Sequence, residues 1–234
     1  MDGRSPRSPG LNARYGESHI LHGVDMRVAE GETITILGRN GVGKTTTLRT
    51  ITGIVRTRKG KISFAGSDMM QVPLHKTARR GIGFVPEERG IFSTLTVSEN
   101  LLLPPVVAEG GMTLDEIYEL FPNLYERRGS PGTKLSGGEQ QMLAIARILR
   151  TGVRLLILDE PTEGLAPVIV QRIGEVLKTL KERGMTILLV EQNFRFASRI
   201  ADRFYLMDHG QMVAEFPVGE LPQRMDTLHK VLGV

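Results

Sequence analysis

Gly38-Arg39-Asn40-Gly41-Val42-Gly43-Lys44-Thr45 lies between Glu32-Thr33-Ile34-Thr35-Ile36-Leu37, which has the texture of a strand, and Thr46 to Ile54, which reads as a helix. Two glycines bracketing four residues before Lys-Thr form the pattern of a phosphate loop. Glycine lets the backbone curl round an anion, so that successive amides point inward as a nest. The helix that follows adds its positive end. In this reading Gly38, Arg39, Asn40, Gly41, Val42, Gly43 and Thr46 form the cradle. Lys44 reaches the β- and γ-phosphates, and the Thr45 hydroxyl ligates Mg²⁺. The bland alternative is a glycine-rich turn in a chain with 27 glycines. A strand before the loop and a helix after it favour the nucleotide.

Outward from this loop, residues 11–28 alternate short β-like pieces with turns, and Gly60 to Gly66 reads as a short strand. Ile82-Gly83-Phe84-Val85 is a buried strand stopped by Pro86. Residues 92–151 have a helical texture, with Thr113-Leu114-Asp115-Glu116 as a capping box that opens a helix through Leu120. Leu155 to Leu158 and Thr186 to Val190 are apolar strands joined by an amphipathic helix, Val168 to Arg183. Strands apolar on both faces in βαβ order imply a parallel sheet covered by helices. Phe204 to Met207 and Met212 to Phe216, about Asp208-His209-Gly210, predict a hairpin. Residues 1–10 read as a disordered tail and 11–234 as a single α/β domain. Its sheet core comprises 11–91 and 152–234, and the inserted helical lobe about 92–151.

Ligands of open parallel sheets collect beyond the carboxyl ends of the strands. The phosphate loop, Asp159-Glu160 and Glu191-Gln192 all fall at such ends. Two adjacent acids closing an apolar strand are unfavourable unless a cation sits near them. Mg²⁺ on phosphates is the natural occupant, with Asp159 holding it directly or through water. Glu160 is then placed to orient and deprotonate the attacking water. Leu135-Ser136-Gly137-Gly138-Glu139-Gln140 also satisfies a capping box. A helix built only for stability would not carry Gly-Gly in its first turn, where each costs up to about 1 kcal/mol against alanine. Bare amides and a serine hydroxyl there suit a second phosphate contact.

With these three motifs in this order, the chain resembles the ATP-binding subunits of ABC transporters from about Leu11 to its end. Gly38 to Thr45 is similar to Walker A, Leu155 to Glu160 to Walker B with its catalytic glutamate, and Leu135 to Gln140 to the ABC signature. The resemblance implies a P-loop NTPase of ABC type, with a mostly parallel sheet core, an N-terminal antiparallel β part and an inserted helical lobe. It implies ATP hydrolysis with Mg²⁺. It also implies a head-to-tail dimer, with a homologous subunit or a second copy, in which Ser136, Gly137, Gly138 and Glu139 complete the partner's site. Tyr15 falls where the family stacks an aromatic on adenine; as a residue alone, it fits a hairpin core equally. Thr162 to Pro167 occupies the D-loop stretch. Glu87 stands where most members carry the Q-loop glutamine, and there it would be a further Mg²⁺ ligand. Gln192 stands at the switch histidine; its amide can donate to the γ-phosphate but cannot titrate near neutrality. Val85-Pro86-Glu87, Pro161 to Pro167, Val190 to Asn193 and the closing Val231 to Val234 resemble the second ATPase of branched-chain amino acid importers and the related urea and amide systems. That branch implies two transmembrane permease subunits, an external solute-binding protein and a cytoplasmic place on the inner face of the membrane.

Composition agrees with this. A 234-residue chain that is 40% hydrophobic can bury a real core, and its net charge is only +4. No cysteine is present, so disulfides and thiolate metal sites are excluded. The apolar runs are too short to span a bilayer, and the first residues lack the apolar stretch of a secretion signal. The basic clusters at 56–59 and 76–80 lack interleaved aromatics, so nucleic acid is not expected as a partner. A non-transport ABC ATPase acting on DNA or ribosomes fits less well, since the segment between Lys44 and Ser136 has no heptads and only one cassette is present. A P-loop kinase leaves both the signature and the Asp159-Glu160 pair unexplained.

Overall fold

The structure, a computed structural model, describes residues 10–233. The tail expected over 1–10, Gly10 apart, and the closing Val234 lie outside the described residues. β1 (Leu11–Tyr15) and β2 (Ser18–Val24) form an antiparallel hairpin, and β3 (Thr33–Leu37) then enters the main sheet and leads to α1 (Lys44–Thr52). β4 (Arg58–Lys59) returns to β1, completing an antiparallel sheet of order β2-β1-β4. The strand expected between Gly60 and Gly66 shrinks to β5 (Ser63–Phe64), which pairs only with β6 (Ser67–Asp68). Ala65 and Gly66, at φ 48° and 76°, turn the chain there before a longer strand can form.

α2 (Leu74–Thr77) precedes β7 (Ile82–Val85), and the helical stretch follows as α3 (Val97–Leu102), α4 (Leu114–Leu120), α5 (Pro122–Glu126) and α6 (Gly137–Leu149). Capping boxes open three of these helices: Thr96 with Glu99, Thr113 with Glu116 and Ser136 with Glu139. Each side chain satisfies an amide that the helix start would otherwise orphan. β8 (Leu155–Asp159), α7 (Pro167–Glu182) and β9 (Thr186–Glu191) make the expected parallel unit. After α8 (Phe194–Ala197), β10 (Arg203–Asp208) and β11 (Gln211–Pro217) form the hairpin, and α9 (Met225–Leu232) closes the chain. His209 and Gly210, both at positive φ, supply its two-residue turn.

The main sheet runs β11-β10-β3-β9-β8-β7, parallel except for β11. Its central strands are apolar on both faces because each face feeds a different core. Leu156 and Leu158 of β8, with Ile187 and Leu189 of β9, pack among the helices. Their neighbours Leu155, Ile157, Leu188 and Val190 pack toward β1 and β2. The lobe helices therefore share a core with the sheet. α1 starts two residues before the expected Thr46 and ends before Ile54, because Gly53 at φ 86° caps it. β8 and β9 each run one residue further than expected, so Asp159 and Glu191 are themselves the last residues of their strands.

Candidate functional site

Three parallel strands, β3, β9 and β8, end side by side, and the turns beyond them bring the polar residues together. Gly41 and Gly43 hold φ 79° and 112°, which a side chain would oppose. A Cβ on Gly38 would come within 2.6 Å of the Met207 carbonyl. Gly43 caps α1 with no side-chain hydrogen bond, and no acid lies in that helix's first turn. Its leading amides and the positive end of its dipole are thus left for an anion.

Lys44 is buried, and its Nζ donates to the carbonyls of Gly38 at 2.8 Å and Arg39 at 2.9 Å. The same nitrogen pairs with Glu160 Oε1 at 3.1 Å. The other Glu160 oxygen accepts from Gln192 Nε2 at 2.6 Å. Both carboxylate oxygens are therefore engaged, and the Gln192 amide serves Glu160. Glu160 also holds φ 44°, an uncommon conformation for a residue with a side chain and one found mostly where function demands it. Thr45 Oγ1 donates to Asp159 Oδ1 at 2.9 Å, joining the helix start to the strand end.

Asp159 is fully buried, and its Oδ2 has no hydrogen-bond partner. Burial pushes its carboxyl up to about 6 against the opposing Thr45 bond, and the charges of Glu160 and Glu87 add to the rise. An orphaned carboxylate oxygen beside a threonine hydroxyl fits a hard cation with oxygen ligands. Among the described residues no three-residue His, Cys, Asp or Glu cluster could hold a metal alone. Phosphate oxygens would have to complete the shell of Mg²⁺, as Mg²⁺ in nucleotide sites requires.

Gly43, Lys44, Thr45 and Glu160 line a cavity of about 340 Å³, with Asn40, Gly41, Thr46 and the exposed Glu87 also on its walls. Asp159 and Gln192 are tied to that lining through Thr45 and Glu160. A roomier cleft of about 610 Å³ lies under the amino ends of the strands, near Ile82 and Leu155. It holds neither the glycine nest nor the strand-end acids, so the chemistry selects the smaller one. Arg39 gives the loop its backbone, while its guanidinium packs against Gly233 near the end of α9. Tyr15 ends β1 at 46% exposed, which removes the hairpin-core reading, although it does not line the cavity.

Ser136, Gly137, Gly138 and Glu139 also lie outside this cavity. Ser136 caps α6 by accepting from the Glu139 amide, and its own amide donates to Glu139 Oε2 at 2.7 Å. For Gly138 the absent side chain has a local cause that the sequence did not disclose, and for Gly137 the neighbour is only the end of a flexible side chain. A Cβ on Gly138 would meet Ile169 Cγ2 of α7 at 2.6 Å, and one on Gly137 would meet the Arg89 guanidinium at 3.1 Å.

Glu191 and Thr162, placed by the sequence at a strand end and in the D-loop stretch, turn out to be bonded to each other. Glu191 is 3% exposed and accepts from Thr162 Oγ1 at 2.7 Å. Burial raises it to about 7, with the bonds from Thr162 and the Asn193 amide pulling the other way. The signal that marks Asp159, an acid closing an apolar strand, marks Glu191 equally.

The chain matches the ABC transporter family over residues 21–163. It is 42% identical to BraG of Pseudomonas aeruginosa, a high-affinity branched-chain amino acid transport ATP-binding protein, over 87% of this chain and 88% of that one. It is 35% identical to LptB of Haemophilus influenzae, a lipopolysaccharide export system ATP-binding protein, covering 87% of each. The solved structure of a dimeric bacterial ABC transporter cassette superposes with a TM-score of 0.78 at 26% identity, covering 90% of this chain and 97% of that one. Loop, strand-end acids and signature stand on the fold of that family, and the chain belongs to it: an ATP-hydrolysing cassette of the ABC transporters.

Proposed function

We propose that this cassette powers an importer of branched-chain amino acids, with Glu160 as the residue that activates water. The observation that carries the chemistry is the convergence of Lys44, Glu160 and Gln192 beside the Thr45–Asp159 pair. Phosphate charge entering the nest competes for the Lys44 ammonium, which already leans on two carbonyls by dipole alone. Once Lys44 turns to phosphate, Glu160 Oε1 is free to take a proton from water. Gln192 meanwhile holds Oε2 and so fixes the carboxylate plane. Mg²⁺, when bound, neutralises charge on the transferred phosphoryl group; Thr45 Oγ1 and Asp159 Oδ2 would hold it, with Glu87 on the wall of the same cavity. The Tyr15 ring would lie near adenine.

Within one chain the signature is separate from the phosphate loop, and a head-to-tail pair would seat Ser136 and the amides of Gly137, Gly138 and Glu139 on the partner's nucleotide. The dimeric cassette relative supports that pairing. Phe92, Leu102, Leu103 and Val106 are exposed apolar side chains of the lobe, of the kind that two permease subunits at the inner face of the membrane would cover. No helix among the described residues is long and apolar enough to cross the membrane itself. An external solute-binding protein would then deliver the substrate. The similarity to BraG favours branched-chain amino acids over the urea and amide systems, and the weaker similarity to LptB favours an exporter as the second reading.

Glu160→Gln is expected to abolish ATP hydrolysis while ATP still binds; a variant hydrolysing at the parent rate removes Glu160 from this role. Cells lacking the gene should lose most uptake of labelled leucine. Unchanged leucine uptake with altered outer-membrane lipopolysaccharide would favour the export reading.

A further inference from the structure

Two hydrogen bonds cross between the ends of β8 and β9. Gln192 Nε2 reaches Glu160 Oε2 at 2.6 Å, and Thr162 Oγ1 reaches Glu191 Oε1 at 2.7 Å. Only Pro161 separates Glu160 from Thr162, and Glu191 and Gln192 are adjacent, so the two bonds close a small ring. It is fastened further by the Glu160 amide on the Val190 carbonyl at 3.0 Å, the Glu163 amide on the Glu160 carbonyl at 3.1 Å and the Asn193 amide at 3.4 Å from Glu191 Oε2. Pro161 restricts the backbone on one side of the ring. Thr162 and Glu191 are both buried. Every other residue of β9 after Thr186 is an aliphatic in the core, and an aliphatic at 191 would avoid the cost of burying a carboxyl group. Stability therefore does not account for Glu191, whereas the ring does.

We propose that Glu191 is a positioning residue for ATP hydrolysis: through Thr162 and the Asn193 backbone it holds the turn that aims the Gln192 amide at Glu160. The proposal rests on Glu160 being the group that activates water. It means that Thr162 cannot shift without either carrying Gln192 along or breaking the Thr162–Glu191 bond. The glutamate at 191 and the glutamine at 192 then form one device, in which the first sets the aim of the second.

The test is steady-state ATPase kinetics on the full chain with Glu191→Ala, Glu191→Gln, Thr162→Val, Gln192→Ala and the double variants. Glu191→Ala should lower kcat about tenfold while KM for ATP stays within about twofold, the pattern of lost orientation. Glu191→Gln keeps an oxygen for the Thr162 hydroxyl and should recover most of that loss. In a Gln192→Ala background, Glu191→Ala should cost less than about twofold more, because residues acting through one contact are not additive. A parent-like kcat for Glu191→Ala or for Gln192→Ala, or losses that multiply in the double variant, would overturn the proposal. Should Glu191→Ala fail to fold, Thr162→Val alone and with Gln192→Ala makes the same comparison. An active Glu160→Gln defeats the reading of the whole site. An inactive Glu160→Gln together with multiplying losses defeats this positioning role alone.

Discussion

A buried carboxyl group shows its surroundings in how stability responds to pH. The Glu191 carboxyl is raised from 4.5 to about 7 by burial, so between those values the folded chain holds a proton that the unfolded chain has released. Stability from this group is therefore greatest in acid and is lost as pH climbs toward 7, by up to a few kcal/mol. The melting temperature of the protein alone should fall between pH 5 and 8, and Glu191→Gln should flatten that slope; an equal slope in both would place the titration elsewhere. Gln192 makes the opposite point, since its amide has no proton to exchange near neutrality. Gln192→His, facing Glu160, should add a step to the ATPase pH profile near neutrality. A profile identical to the parent's would mean that position 192 does not touch the reacting groups. Asp159 and Glu160 were legible because two acids end an apolar run. Glu191 obeys the same rule, yet its role emerges only from Thr162, 29 positions earlier, whose hydroxyl donates to it.

Among the elements, α6 carries two meanings in its first turn. Its capping box is written in Ser136 and Glu139, and the structure contains it. The glycines beside it suggest clearance for an approaching phosphate, but Gly138 already clears the way for Ile169 of α7. Gly138→Ala should therefore destabilise the protein by about 1–3 kcal/mol through overpacking, in the absence of any nucleotide. Adding Ile169→Ala should restore much of that loss in denaturant melts, whereas no recovery would locate the cost outside the α6–α7 contact. Gly137 meets only the end of the flexible Arg89 side chain, so it remains the better candidate for close approach by a ligand. Element ends were the least legible part of the sequence: Gly53 stops α1 and the Ala65–Gly66 turn shortens β5, because positive-φ residues outweigh local β and helix propensity.

At the scale of the whole molecule, the phosphate loop and the signature belong to one chain but not to one cavity. With ATP and Mg²⁺, Glu160→Gln should double its mass in light scattering and return to a single chain with ADP. A monomer under every condition would leave the signature without a partner. By itself the sequence determined the P-loop, the strand-end acids, the parallel α/β core and the capping boxes of α4 and α6, because each rests on local pattern along the chain. Tertiary structure alone decided that Lys44 leans on Glu160, that Gln192 serves Glu160, that Ile169 dictates Gly138 and that Thr162 holds Glu191. Those choices belong to groups brought together by the order β3-β9-β8 and by packing between helices, and spacing along a chain does not encode which of several polar neighbours a side chain will meet.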